Sequence, residues 1–293
     1  MADITWAYHA GSRAVQARAG VLDQADRNAR GVGRHVPEVV AEFLADQPLV
    51  VVGGTDAAER VWCSLLAGSP GFARAPDAGT VEIDARFPDG DPLAGLGRAG
   101  GEPVGLLAIE PATRRRVRIN GVARRTADGR LQVATDEVFG NCPKYITRRD
   151  VGPAARGRAG AIEAGAGATI GTALTPAQQA AVAAADTFFL ATVGPDGGVD
   201  ASHRGGEPGF VAVAADRLAW GDARGNAMFL SLGNLEDRPE AGVLVVDWRT
   251  GASLQVTGRA HVAWAAPDDR TVVLAVDEVR EVAGYDARRR ASS

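Results

Sequence analysis

The apolar residues of this chain fall in short runs closed off by Gly, Pro and Asp, such as "PLVVVGG" (48–54), "FFLATVG" (188–194) and "GVLVVDW" (242–248). Runs of that length between turn residues predict β-strands. Two stretches predict helices instead, "PEVVAEFLAD" (37–46) and the alanine-rich "PAQQAAVAAAD" (176–186). Each opens with Pro, which the first helical turn tolerates, and Thr175 stands where an N-cap belongs. A further helix is expected over 226–235, "NAMFLSLGNL", between strands.

The pattern is written twice. "VWCSLLAGSPGF" (61–72) and "VDASHRGGEPGF" (199–210) share Val, Ser, Gly, Pro, Gly and Phe at the same places. "GLLAIEPATRRRVRINGVA" (105–123) parallels "GVLVVDWRTGASLQVTGRA" (242–260), each a strand, a turn and an alternating strand ending at Gly121 or Gly258. "ATDEV" (134–138) answers "AVDEV" (275–279). The pairs keep one order and an offset of about 137 to 141 residues, which chance similarity of short β motifs would not preserve. Each half then holds one leading helix and about six short strands. A small antiparallel sheet removes its open edges by closing into a barrel. The expected architecture is mainly β with flanking helices, a tandem duplicated barrel forming a pseudo-dimer within one chain. The boundaries expected are a first lobe over 1–150, a Gly/Ala-rich linker over 151–173 and a second lobe over 174–293.

Composition narrows the function. Apolar residues at 46% suffice for a core, and a net charge of −4 gives no general attraction to nucleic acid or to an anionic membrane. The local arginine runs "RRRVR" (114–118), "ITRRD" (146–150) and "DARRR" (286–290) read as solvated faces. Cys63 and Cys142 lie far apart without a CxxC, so neither a disulfide framework nor a metal site is indicated. No run has membrane-spanning length and the N-terminus lacks a secretory pattern, so a cytoplasmic protein is expected.

The second half, "DTFFLATVGPDGGVDASHRGGEPGF…WGDARGNAMFLSLGNLEDRPEAGVLVVDW…LQVTGRA", resembles the pyridoxamine 5′-phosphate oxidase-like flavin-nucleotide-binding proteins, which are split β-barrels. "YHAGSRAVQARAG" (8–20) and "FGNCPKYITRRD" (139–150) are similar to landmarks of that family's two-lobed bacterial branch. The resemblance implies FMN in a cleft between two barrels. It places Arg204 on the phosphate, with Arg224, Gly225 and Asn226 as the pocket's second side. Gln255 is expected at the polar edge of the flavin ring and Trp248 near the ring. Lys144 and Tyr145 would reach the cofactor across the lobes. His203, next to Arg204 on a strand, points to the other face and is expected to be structural or substrate-facing.

The first half has Leu66 where Arg204 stands, Arg118 where Gln255 stands and Pro111 where Trp248 stands. One site per chain is therefore expected, with the first lobe as scaffold and opposite wall. An arginine-and-histidine motif of the kind that holds substrate in true pyridoxamine phosphate oxidases is missing at the C-terminus, which argues against vitamin B6 oxidation. Ser202-His203 is no hydrolase dyad, because strand neighbours face opposite ways. "GRAGGEPVG" (97–105) lacks the strand–helix setting of a dinucleotide loop. Cys142 beside Pro143 reads as an inert thiol in a turn. The function implied is an FMN-dependent oxidoreductase acting on a small molecule with an external reductant, with no residue marked as catalytic. The alternatives are deazaflavin F420 in the same cleft, haem with His203 or His261 as axial ligand, or a non-catalytic flavin-binding or sensing module. The chain would be a monomer serving as its own pseudo-dimer, or a homodimer.

Overall fold

The computed structural model describes residues 7–140, 143–150, 168–225, 227–248 and 251–282. Three helices, α1 (Ala10–Arg18), α2 (Leu22–Ala29) and α3 (Glu38–Asp46), precede strands β1 (Leu49–Thr55), β2 (Val61–Ala67), β3 (Ala73–Asp77), β4 (Thr80–Ile83), β5 (Glu102–Glu110), β6 (Arg115–Arg125) and β7 (Leu131–Gly140). After β8 (Thr169–Gly171) and α4 (Pro176–Ala184) come β9 (Thr187–Val193), β10 (Val199–Gly205), β11 (Val211–Ala214) and β12 (Arg217–Gly221). Helix α5 (Leu230–Asp237) and strands β13 (Glu240–Val246), β14 (Ser253–Ala266) and β15 (Asp269–Val282) complete the second half. Thr175 caps α4 as expected, in a reciprocal capping box with Gln178.

The duplication is visible in the topology. One sheet runs β2-β1-β5-β6-β7-β4-β3 and the other β10-β9-β13-β14-β15-β12-β11, the same order with every strand replaced by its repeat partner. All pairings are antiparallel, and each sheet curls over its own core as a split barrel. Each half contributes seven strands to its sheet, one more than the sequence pattern suggests. β8 is an extra strand on β15; it falls within the expected linker, whose residues 151–167 lie outside the described part.

Alternation along the strands explains why the runs look continuously apolar. In β1, Val50 and Val52 point into the first barrel while Leu49 and Val51 point away from it. In β9, Phe188 and Leu190 fill the second barrel while Phe189 and Ala191 point away. The outward sets meet in a third core with Cys63, Leu107, Ala201 and Leu244, so these strands are buried on both faces. Gly105 and Gly242, partners in the repeat, set the separation of the lobes. A Cβ on Gly105 would lie 2.6 Å from the Ala201 amide nitrogen, and one on Gly242 would lie 2.6 Å from the Trp62 Cα.

Two features differ from the sequence reading. β6 and β14 do not end at Gly121 and Gly258; each glycine sits at a bulge, after which its strand continues to Arg125 or Ala266. A Cβ there would be 2.0 Å or 1.9 Å from a neighbouring carbonyl oxygen, so the glycine marks close backbone approach inside a strand and not its end. The helix expected at 226–235 begins at Leu230. Helices α1 and α2, on the "YHAGSRAVQARAG" segment and after it, lie against the second half, with Gly11 of α1 crossing Gly233 of α5. Among the described residues no helix is long and apolar enough to cross a membrane.

Gly242→Ala is expected to destabilise the chain by on the order of 1–3 kcal/mol, because the new methyl meets the backbone of the other lobe and not a side chain that can turn away. Urea unfolding should show a lower midpoint. The same substitution at half-buried Gly129, where nothing lies within 4 Å but φ is +87°, should act only through local backbone strain.

Candidate functional site

The site begins with the alternation of β10. Asp200, Ser202 and Arg204 share one face of that strand, and His203 takes the other. The Arg204 guanidinium lies in a cleft whose cavity volume is about 120 Å³. Its Nη1 is a long 3.3 Å from Asp222 Oδ1, and its buried Nε has no hydrogen-bond partner among the described residues. Asp222 is held more closely by Arg270, whose Nε and Nη2 each lie 3.1 Å from Oδ2. Arg204 therefore retains donor capacity toward the cleft.

The first lobe builds the facing wall. Arg116 and Arg118 lie two residues apart on β6, so both project to the same side. Arg118 forms a buried ion pair with Asp200 of the second lobe, and its guanidinium stacks 5.0 Å over the Phe139 ring. Arg116 Nη1 lies 2.8 Å from His203 Nδ1. Arginine can only donate, so Nδ1 is the acceptor and the imidazole proton sits on Nε2. Burial and the charges of Arg116, Arg204 and Arg149 hold the His203 pKa well below its ordinary value, leaving it neutral.

The remaining wall is the turn leading into α5 and the start of that helix. Ser231 Oγ lies 3.2 Å from Ser202 Oγ and donates to Asp200 Oδ2 at 3.2 Å. Ala227 (φ 61°) and Phe229 (φ 54°) both adopt left-handed backbone conformations and both line the cleft. For residues with a side chain this costs on the order of 1–2 kcal/mol each, and such strain is characteristic of ligand clamps. Lys144 and Tyr145 close the opening, and the Tyr145 hydroxyl donates to the Arg224 carbonyl at 3.1 Å.

Of the residues expected here, Arg204, His203, Gly225, Lys144 and Tyr145 come together around the cleft. Arg224 does not join them. Its side chain is 78% exposed and pairs with Asp268 at 2.8 Å. Gln255 is also elsewhere, fully buried between the lobes, where its amide donates to the Cys63 carbonyl, Ser64 Oγ and Asp91 Oδ2. Trp248 packs on Phe189 (6.2 Å between ring centroids) under the Arg149 guanidinium (4.9 Å), outside the cleft lining. Asn226 and Cys142 lie outside the described residues.

Arg116 and Arg118 were read as part of a solvated run. The available signal was their spacing of two around Val117, which faces the first core. Within "RRRVR" that spacing separates Arg115, exposed, from the buried Arg118.

The repeat carries a counterpart of the cleft in the first lobe, and a carboxylate fills it. Ser64 matches Ser202 and Gln255 matches Arg118, but Asp91 has entered between them. It accepts from Ser64 Oγ and the Leu93 amide, both at 2.8 Å, and from Gln255 Nε2 at 3.2 Å. Burial pushes the Asp91 carboxyl up to about 6, against the lowering effect of these hydrogen bonds and of Arg280.

For a phosphate or similar anion the open cleft fits: an arginine with an unpaired buried Nε, a second arginine in the facing wall, a lysine at the mouth and a helix N-terminus beside them. A cavity of about 120 Å³ is smaller than the roughly 300–1,000 Å³ of whole-ligand pockets, so it has room for a head group and not for a whole ligand.

Fold and site together define a tandem split barrel with a cationic cleft between its lobes. Residues 174–290, which lie in the second lobe, match the family model described as pyridoxamine 5′-phosphate oxidase. No curated protein matches the chain. Among solved structures, a candidate pyridoxamine 5′-phosphate oxidase of Lactobacillus delbrueckii is 20% identical, covering 37% of this chain and 94% of its own (TM-score 0.30). HutZ, the heme storage protein of Vibrio cholerae, is 12% identical over 34% of this chain and 88% of its own (TM-score 0.27). A protein titled F420 reductase is 17% identical over 37% of this chain and 98% of its own (TM-score 0.27).

The Asp91 site has a pH signature. A carboxyl whose folded pKa is raised makes the fold more stable as pH falls from about 6 toward the unfolded value of 3.8. The gain is up to about 3 kcal/mol. Glu137, whose carboxyl burial also raises, acts in the same direction. His203, whose depressed pKa makes the fold less stable as pH falls through the ordinary histidine range, acts the other way, so the Asp91 contribution is read by difference: between pH 7.5 and pH 5 the melting temperature of Asp91→Asn should fall more, or rise less, than that of the unchanged chain.

Proposed function

We propose that the cleft between the lobes binds FMN by its phosphate and that the protein is a flavin-dependent oxidoreductase acting on a small molecule, with reducing equivalents from an external donor. The observation that carries this reading is Arg204, whose Nε is buried and unpaired at the cleft while its Nη1 makes only a long contact to Asp222. Arg204 would hold the phosphate with charge-assisted hydrogen bonds, and Arg118 would add positive charge from the facing lobe. The Gly225 backbone and the start of α5 would supply uncharged donors. Lys144 and Tyr145 would cover the ligand at the mouth.

Bound flavin supplies hydride or electron transfer at its ring, which no side chain in this cleft can provide. The protein's part is to bind, orient and exclude water. His203, neutral with its proton on Nε2, offers a hydrogen-bond donor that persists across the physiological range. Among the described residues no carboxylate at the cleft is free to act as a base: Asp222 is held by Arg270 and Arg204, and Asp200 by Arg118 and Ser231.

FMN is preferred to haem in the same cleft for two reasons. His261 is exposed on β14 and does not line the cleft, and His203 already gives its Nδ1 to Arg116 among several arginines. Deazaflavin F420 would use the same phosphate contacts. A visible spectrum of the purified protein separates flavin, deazaflavin and haem, and reoxidation kinetics with candidate reductants separate an enzyme from a sensing module.

Arg204→Leu, which copies the residue of the first lobe, should weaken FMN about ten- to hundredfold, corresponding to about 1.5–3 kcal/mol for a charge-assisted contact. Melting of the ligand-free chain should change little by comparison. Extraction of the bound cofactor and its identification by mass should give FMN at about one per chain. Undiminished binding in Arg204→Leu would remove the assignment.

A further inference from the structure

The strained turn that lines the cleft is fastened from the other end of the chain. Gln16, in the last turn of α1, is fully buried, and its Nε2 donates to the Met228 carbonyl at 2.8 Å. Met228 lies between Ala227 and Phe229, the two cleft residues in left-handed conformations. The Gln16 carbonyl is itself oriented by Arg13 Nη1 at 2.9 Å, and Arg13 is held by Asp26 of α2 at 2.5 Å. Around this hydrogen bond the side chains of Met228 and Leu230 pack with Tyr8, just before α1, and with Ala25 and Ala29 of α2, and the Tyr8 hydroxyl donates to the Ala25 carbonyl. Gly11 and Gly233 bring α1 and α5 into backbone contact, and His9 bridges Asn234 (2.9 Å) and Asp237 (3.1 Å) of α5.

An αL residue other than glycine persists only where its surroundings outweigh the local preference for other conformations. Here two such residues flank one carbonyl, and a buried amide from a distant helix holds that carbonyl. Without the donor, the buried carbonyl would lose this partner and the turn could relax toward ordinary backbone angles. Such relaxation would move the Ala227 and Phe229 walls of the cleft.

We propose that Gln16 is a positioning residue for the cleft: through the Met228 carbonyl it holds the 227–229 turn in its binding conformation, which makes the N-terminal helix pair a working part of the second lobe's site. This rests on the cleft being the binding site but not on which ligand fills it.

The test is Gln16→Met, which keeps the length and apolar bulk and removes the donor. Hydrogen exchange on the ligand-free chain should rise at least about tenfold over residues 227–232 and stay unchanged in the central strands of both sheets. FMN titration should show affinity reduced about tenfold. Adding Ala227→Gly, which accepts the observed φ without strain, should recover part of that loss. Unchanged exchange at 227–232, or a rise shared equally by both sheets, would overturn the proposal.

If Gln16→Met fails to fold, Arg13→Met removes only the bond that orients Gln16, and a smaller rise of about threefold at the same residues is expected. No rise there would overturn the proposal equally. A wild-type chain that does not bind FMN would dispose of the flavin reading, while the exchange measurement on the ligand-free protein would still decide the role of Gln16.

Discussion

Everything in this molecule depends on the dry contact between two curled sheets that came from one repeated pattern. Strands such as β1 and β9 are buried on both faces, one row of side chains filling a barrel and the other filling the space between barrels. Gly105 and Gly242 let each sheet reach the backbone of the other at symmetric positions. In either half alone the outward row would face water. The lobes therefore behave as the two subunits of a permanent dimer whose partners share one chain.

From this contact follow two related clefts, one on each side of the pseudo-twofold relation, and the sequence has treated them differently. On one side Arg118 crosses from the first lobe to Asp200, and Arg204 stands beside it with a buried Nε left over. On the other, Gln255 crosses from the second lobe to Ser64, Leu66 replaces the arginine, and Asp91 fills the space as a carboxylate supplied by the chain itself. This internal carboxylate is hydrogen-bonded by two neutral side chains and a backbone amide, with Arg280 adding charge without a direct bond, and burial still raises its pKa toward neutrality. A duplicated scaffold thus carries one open cationic cleft and one counterpart filled by a carboxylate of its own.

The open site is costly to maintain. Its arginines are desolvated, its histidine is held neutral by burial and by their charges, and its entrance turn holds two residues in left-handed conformations. These costs are borne by the packing of the lobes and by the N-terminal helices, which lie on the second lobe although the chain order would give them to the first.

The sequence by itself determined the repeat, the strand pattern and the residue that most distinguishes the halves. Leu66 against Arg204 is legible without coordinates, because matched positions on duplicated strands must occupy matched places. Thr175 at the start of α4 is legible for a similar reason, since a cap is a local device. Only the tertiary structure decided what crosses between the lobes. Side-chain reach into a cleft depends on the relative placement of two sheets, which no local pattern encodes. So Arg118 and Gln255, aligned as equivalents, go to different surroundings, one to a carboxylate of the open cleft and the other to the sealed one. Arg224 turned to solvent and Asp268 because the neighbouring β14–β15 end lies within its reach. Gln16 could not be assigned from sequence for the same reason: its partner is a backbone carbonyl more than two hundred residues away, and a carbonyl has no identity in the sequence.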